Sequence, residues 1–196
     1  MSLLSKPIET EKSYLGIYSM PEGKSGLIEV CVKEIEGKLL KNPPITVFGR
    51  PAIQHRSIGF FSNESEGYRY SGQLAASQPL TPDLLELLTI VNGMFGATFN
   101  GILVNRYENG EDTIGAHSDD EKHLDPVGVV CVSWGESRTF RIRNKKTKEV
   151  VADVPTESGK MMIMAGEFQK EFTHEIPSEK RKKNVRVSFT FRRHLQ

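Results

Sequence analysis

The spacing of apolar residues predicts two helices in the first half of the chain. From Leu27 to Leu39 apolar residues recur at helical spacing, and the Pro43-Pro44 pair stops this first helix. A second helix starts at Thr81-Pro82-Asp83, which offers a capping hydroxyl, a proline for the first helical position and an acid in the first turn. Its apolar stripe extends to Phe95, and glycines at 93 and 96 close it.

After Ala97 the pattern changes to short runs rich in Val, Ile, Phe and Thr, separated by turn residues, which is typical of antiparallel strands. The predicted strands are Gly101–Tyr107, Ile114–Asp119, Val127–Trp134, Thr139–Arg143, Met161–Met164, Thr173–Ile176 and Val185–Arg193. Another strand begins at Ile45, and residues 1–24 are predicted to be an irregular lead-in. Two helices followed by these strands predict an α+β, mainly β fold: a double-stranded β-helix, or jelly roll, with N-terminal helices buttressing one sheet.

Composition narrows the class of protein. At 196 residues, with 37% hydrophobic and 26% charged residues, the chain suits one globular domain with a core of its own. No apolar run is long enough to cross a membrane, and the N-terminus has no room for the core of a signal peptide. Cys31 and Cys131 lack metal-site spacing, so we expect two reduced, buried thiols in an intracellular protein. Basic clusters at 141–146 and 180–183 predict either phosphate-binding surfaces or solvated loops.

Three residues have the chemistry of a metal site. His117 and Asp119 alternate along a predicted strand, so their side chains share one face. A second histidine, His174, lies well downstream on another predicted strand. Two imidazoles and one carboxylate leave the other positions of a metal open, which is the arrangement of non-haem Fe(II) oxygenases. Because the chain has five histidines, plain structural roles for these residues stay open at this point.

The final predicted strand has two contrasting faces. One face is apolar, and the other carries Arg186, Ser188, Thr190 and Arg192. The polar face is either a solvated surface or the lining of a barrel that presents two guanidinium groups to a dicarboxylate, for which arginine has suitable planar donors. On the strand that ends at Tyr107, the side chains of Asn105 and Tyr107 share a face and could donate hydrogen bonds to the same anion.

Four features together resemble the AlkB family of Fe(II)- and 2-oxoglutarate-dependent nucleic-acid dioxygenases, most of all its animal members that repair alkylated DNA: Asn105-Arg106-Tyr107, His117-x-Asp119-Asp120-Glu121, His174, and the pair Arg186 and Arg192. The resemblance runs from about Val47 to Arg193. It implies that His117, Asp119 and His174 hold Fe(II). It also implies that Asn105, Tyr107, Arg186 and Arg192 bind 2-oxoglutarate, with the two arginines taking opposite carboxylates and O2 as co-substrate.

The resemblance also implies a domain plan and a substrate. Residues 1–44 would be an N-terminal extension with the first helix, and residues 45–196 the dioxygenase domain, with a nucleotide-recognition lid at about 45–76, in one structural domain. The activity would be oxidative demethylation of N-alkylated bases, 1-methyladenine and 3-methylcytosine, in DNA, with release of succinate and formaldehyde. We expect a monomer in the nucleus or cytoplasm that binds nucleic acid and no membrane. RNA demethylation, hydroxylation of a protein side chain, and a silent nucleic-acid-binding module are the alternatives.

Further residues match the family's substrate-binding features. Val47-Phe48-Gly49 resembles a hydrophobic finger that fills the gap left by an extruded base, although Phe48 at an ordinary strand end is the alternative. Tyr68 and Tyr70 resemble the recognition lid, or are rim packing. Glu121 matches a base-contacting acid, and a carboxylate with aromatic faces favours a cationic methylated base. The cluster Arg181-Lys182-Lys183 resembles a loop that follows the nucleic-acid backbone.

Overall fold

Fifteen strands and three helices make up the part of the chain that this computed structural model describes, which is residues 2–47, 49–70, 73–119 and 125–194. At positions 47, 69, 70 and 73 it describes the backbone alone. In chain order the elements are β1 (Leu3–Glu9), β2 (Ser13–Ser19), α1 (Ser25–Glu34), β3 (Pro44–Val47), β4 (Arg50–Ile53), β5 (Ser57–Phe61), β6 (Gly67–Tyr70), β7 (Gln73–Gln78), α2 (Pro82–Phe95), β8 (Gly101–Tyr107), β9 (Ile114–His117), β10 (Val129–Gly135), β11 (Thr139–Asn144), β12 (Val150–Pro155), β13 (Lys160–Gly166), α3 (Phe168–Glu171), β14 (Phe172–Ile176) and β15 (Arg186–Arg192).

The strands form two main sheets that pack on each other. The larger has the order β1-β2-β13-β10-β15-β8-β5-β7-β6, and the smaller β12-β11-β14-β9. Side chains of β13 alternate between the two faces of the larger sheet, and both faces are buried. Met161 and Ile163 pack in the cluster that includes α1 and α2, while Met162 and Met164 pack between the two sheets. The expected jelly roll, mainly β with helices buttressing one sheet, is confirmed.

Helix α2 begins and ends as its sequence predicts. Thr81 is the N-cap, and its side chain accepts a hydrogen bond from the backbone of Leu84 at 3.2 Å. Pro82 takes the first helical position. Gly96 ends the helix in the left-handed region with φ of 62°, which glycine adopts without steric cost. Gly93 lies inside the helix and does not help to close it.

The prediction of an irregular lead-in was wrong. Residues 1–24 contain β1 and β2, and β2 pairs with β13 along its whole length. Gly16 suits its position in β2, because a Cβ there would approach the Tyr18 ring to 2.8 Å. The strands predicted after Ala97 are present, with small differences at their ends, and β12 adds one that was not predicted. Among the described residues, no helix is both long enough and apolar enough to span a membrane.

We expect Thr81→Ala to lower the free energy of unfolding by about 1 kcal/mol, because the substitution removes the capping hydroxyl from α2. Thr81→Ser keeps the hydroxyl and should lie close to the unaltered protein. Urea unfolding of the three proteins measures the difference. Equal stability of the alanine and serine variants would show that the cap does not stabilise the helix.

Candidate metal and anion site

The three candidate metal ligands converge at one edge of the smaller sheet. Strands β9 and β14 pair so that His117 lies directly opposite His174. Asp119 follows two residues after His117, with its carboxylate 3.8 Å from His117 Nε2 and 3.6 Å from His174 Nε2. One ligand atom from each residue lies within 4.8 Å of the other two. Two imidazoles and a carboxylate can therefore bind one metal ion from the same side.

Both histidines are held neutral in the folded protein. Burial lowers the pKa of His174 to about 3. Burial also lowers the pKa of His117, although the neighbouring Asp119 acts in the opposite direction. The Nδ1 atom of His117 lies 2.8 Å from the carbonyl oxygen of Gly115, which fixes the proton there and leaves Nε2 with a lone pair towards the metal position. Neither imidazole needs to lose a proton before it can bind a metal near neutral pH.

Asp119 is a buried carboxylate with its own counter-ion. Arg192 donates a hydrogen bond from Nη2 to its Oδ1 at 2.8 Å, and both side chains are almost wholly buried. Burial on its own would raise the pKa of Asp119, but the charge of Arg192, followed by the influence of the two neighbouring imidazoles, outweighs burial and holds that pKa well below its usual range. The carboxylate is therefore ionised and available to a cation.

The polar face of β15 lies inside the protein and lines the same pocket as the metal triad. This pocket includes all four residues expected to bind an anion: Asn105, Tyr107, Arg186 and Arg192. Strand pairing sets Arg186 against Tyr107, and its guanidinium carbon lies 5.2 Å from the centre of that ring. Burial raises the pKa of Tyr107 despite the nearby guanidinium groups, so its hydroxyl keeps the proton that it could donate.

Arg186 indicates what the pocket would bind. It is 2% exposed, and its hydrogen bonds to described residues go to two hydroxyl oxygens, of Thr156 at 3.0 Å and of Ser133 at 3.3 Å. Hydroxyl groups solvate a guanidinium but do not neutralise it, and a buried charge without a counter-ion is costly. Unlike Arg192, it faces no carboxylate within ion-pair distance among the described residues. A carboxylate of a bound ligand would complete this environment.

The sequence analysis missed Arg56. It is 6% exposed, lines the pocket, and donates a hydrogen bond from Nε to Asn105 Oδ1 at 2.7 Å. This contact occupies the oxygen of the Asn105 amide, which leaves the Nδ2 group as the donor for a ligand. Arg56 directly precedes β5, which pairs with the strand that carries Asn105. The sequence could have indicated Arg56 as a pocket residue only if the pairing of β5 with β8 had been known.

The expected substrate-binding residues are spread over three segments. Val47 is the last residue of β3, and Gly49 lies in the turn that leads to β4, where it has a φ of 76° and is exposed. Phe48 and Glu121 lie outside the described residues, and for Tyr70 only the backbone in β6 is described. Tyr68 is buried, lines the metal pocket, and has its ring 4.8 Å from the Arg192 guanidinium carbon. The wall of the metal pocket therefore includes part of β6.

Buried hydrogen bonds hold the start of the basic loop between β14 and β15 in place. Arg181 and Lys183 are exposed, and Lys182 is half-buried. Fully buried Arg138, which the sequence analysis did not single out, donates from Nε to Glu179 at 3.0 Å and to the backbone carbonyl of Pro177 at 2.7 Å, at the start of the loop. It also donates to backbone carbonyls of the neighbouring segment 109–112. The cations therefore extend from an anchored loop.

Comparison with known proteins identifies the family. The model of the 2OG-Fe(II) oxygenase superfamily matches residues 22–192. The chain is 30% identical over 194 residues to a human protein named DNA oxidative demethylase ALKBH2, covering 93% of this chain and 73% of that protein. This chain belongs to the AlkB family. The mouse protein of the same name is 33% identical over 86% of this chain and 72% of its own length.

Another relative is similar in sequence over a smaller part of this chain, and a solved structure is similar in fold. Human alkB homolog 3, named an alpha-ketoglutarate-dependent dioxygenase, is 34% identical over 57% of this chain and 42% of its own length. The solved structure of OsALKBH1 matches 95% of this chain and 99% of its own with a TM-score of 0.60. Its 15% identity supports the fold alone.

The residues of this AlkB-family chain fit the cofactors of the family. His117, Asp119 and His174 are the donor set of a non-haem Fe(II) centre. The uncompensated charge of buried Arg186 fits a carboxylate of 2-oxoglutarate. The chain is an Fe(II)- and 2-oxoglutarate-dependent dioxygenase, as the sequence predicted.

We expect Asp119→Ala to destabilise the metal-free protein far more than His117→Ala. Removing Asp119 takes the carboxylate from the buried Arg192, which should cost roughly 3 kcal/mol, whereas His117 has no charge to balance. Urea unfolding in the presence of a chelator measures both variants. Equal losses would show that the Asp119–Arg192 pair does not stabilise the pocket.

Proposed function

We propose that this enzyme removes methyl groups from N-alkylated bases in DNA, chiefly 1-methyladenine and 3-methylcytosine, and couples this to decarboxylation of 2-oxoglutarate. One observation carries the proposal: the pocket that contains the metal triad and the buried arginines is also lined by Tyr68 of the lid strand β6. A base that entered against this wall would lie beside the metal. Two similar relatives are named DNA oxidative demethylases, which supports DNA as the substrate.

Each group in the pocket has a proposed task. The metal triad holds Fe(II) from one side. Arg192, next to Asp119, binds the carboxylate of 2-oxoglutarate nearer the metal, and Arg186 binds the far one. Asn105 and Tyr107 donate hydrogen bonds to the same ligand. Bound Fe(II) and 2-oxoglutarate would supply the oxidation, in which 2-oxoglutarate and O2 give succinate and CO2 while the N-methyl group leaves the base as formaldehyde.

Recognition of the base rests on shape and charge. A base inside a duplex must leave the stack before its methyl group can reach the metal. 1-Methyladenine and 3-methylcytosine are cationic near neutral pH, so the aromatic lid residues Tyr68 and Tyr70 and the acid Glu121 would favour them over the neutral parent bases. The same charge argument disfavours an uncharged protein side chain as the substrate.

Two surface features suit binding to a nucleic acid, and the first of them suits a duplex. The β3–β4 hairpin is a separate two-stranded unit with an exposed turn at Gly49, which suits a finger that enters the base stack. The anchored loop presents exposed Arg181 and Lys183, which suit contacts with phosphates. RNA has the same phosphates, so these cations do not distinguish DNA from RNA. The assay of both nucleic acids does so.

Formaldehyde release from oligonucleotides tests the function. With Fe(II), 2-oxoglutarate and O2, we expect release from DNA that contains 1-methyladenine or 3-methylcytosine, single-stranded and duplex, and no release with His174→Ala. Matched RNA oligonucleotides run alongside. Faster release from RNA would make the enzyme an RNA demethylase, and no release from either nucleic acid would rule out base demethylation.

We expect Phe48→Ala to lower demethylation of duplex DNA by about tenfold and to leave single-stranded DNA nearly unaffected, since a side chain stacked on bases contributes about 1–3 kcal/mol. Ile53→Ala is the matched control, because Ile53 is an exposed apolar residue, 60% exposed, at the base of the same hairpin. The same loss on both substrates, or an equal effect of Ile53→Ala, would remove the finger role.

A further inference from the structure

The pairing of strands in the smaller sheet fixes only two of the three metal ligands. His117 is the last residue of β9 and is paired with His174. Asp119 lies beyond this last pair, so the backbone ladder does not determine where its carboxylate points. Arg192 of β15 donates a hydrogen bond from Nη2 to Asp119 Oδ1 at 2.8 Å, which favours a position of the carboxylate close to β15. Another contact must hold the backbone of Asp119 close to the histidines.

That contact comes from Gln169, a buried residue of the short helix α3 that is 6% exposed. Its Oε1 accepts a hydrogen bond from the backbone N–H of Asp119 at 2.9 Å. Its Nε2 donates to the sulfur of Met164 at 3.4 Å. A backbone N–H can only donate and a thioether can only accept, so the two neighbours leave the amide one orientation. The side chain is thus fixed at both ends.

The segment that carries Gln169 is itself well anchored. Phe168 is fully buried and its ring lies 5.0 Å from that of Phe172. Lys145 donates from Nζ to the backbone carbonyl of Gln169 at 2.9 Å. The carbonyl oxygen of Phe172 also accepts a hydrogen bond from Ser118 Oγ at 2.9 Å. This segment continues directly into β14, so the part of the chain that carries His174 also holds residues 118 and 119.

We propose that Gln169 is a positioning residue that sets Asp119 as a metal ligand against the attraction of Arg192. Two hydrogen bonds position Asp119: Arg192 donates to its carboxylate oxygen, and its backbone N–H donates to Gln169. Without the Gln169 acceptor, the buried N–H of Asp119 loses its partner and the residue is free to shift towards Arg192. The inference rests on the metal triad and is independent of the proposed DNA substrate.

Cobalt(II) binding to the metal-free protein tests this role, because it needs neither 2-oxoglutarate nor nucleic acid. Gln169→Met, which has nearly the same length but replaces the amide oxygen by a far weaker thioether acceptor, should weaken Co(II) binding by about tenfold, as the loss of an outer partner of a ligand does. Gln169→Glu keeps an oxygen for the Asp119 N–H and should restore most of the affinity. Visible absorption of the bound Co(II) follows the titration and reports changes in its coordination.

A second glutamine provides the matched control. Gln54 is 2% exposed, and neither polar atom of its side chain has a hydrogen-bond partner among the described residues. Gln54→Met therefore removes a buried amide without touching the triad and should leave Co(II) affinity unchanged. Urea unfolding of all variants separates loss of fold from loss of affinity.

Three results would overturn the proposal. Gln169→Met could be less stable yet bind Co(II) as tightly as the unaltered protein, which would make Gln169 purely structural. Gln54→Met could weaken Co(II) binding to the same extent, which would make the effect general. If Gln169→Met does not fold, Gln169→Glu alone decides: a tenfold loss with the acceptor retained would remove the Asp119 N–H contact from the explanation.

Discussion

The ion pair between Asp119 and Arg192 is the interaction on which the pocket depends. The carboxylate is 4% exposed, accepts a hydrogen bond from Arg192 at 2.8 Å, and lies within 4 Å of both histidines. Burying a carboxylate is unfavourable unless it is paired, and here Arg192 of β15 supplies the opposite charge while the smaller sheet supplies the two imidazoles. The pair therefore requires the two sheets to face each other closely.

Much of this arrangement can be predicted from local patterns. Alternation along the final strand separates Arg186 and Arg192 from the apolar residues, and the capping residue at Thr81 with the glycine at 96 marks the ends of α2. Alternation could not decide whether the polar face of β15 is solvated or enclosed, because that depends on the smaller sheet that covers it. The strands before residue 20 were missed for a related reason, since β2 pairs with β13 from far along the chain.

Residues whose role depends on tertiary contacts were invisible in the sequence. Arg56 enters the pocket only because β5 pairs with β8. Arg138 anchors the basic loop from a distant strand end, and Gln169 reaches Asp119 from the short helix α3. In each case a polar side chain is buried and the contact that gives it a role is to a residue far away along the chain, so neither spacing nor composition singles it out. The motif residues supply the chemistry, and these others hold them in place.

The most direct test of the convergent pocket is an anaerobic absorption titration of the metal-free protein with Fe(II) and 2-oxoglutarate. The charge-transfer band of iron chelated by the 2-oxo acid should appear stoichiometrically in the unaltered protein. It should be lost in His174→Ala and weakened in Arg186→Met, because one variant lacks a metal ligand and the other the guanidinium for the far carboxylate. A band of full strength in both variants would contradict the convergence of these side chains on one bound metal and cofactor.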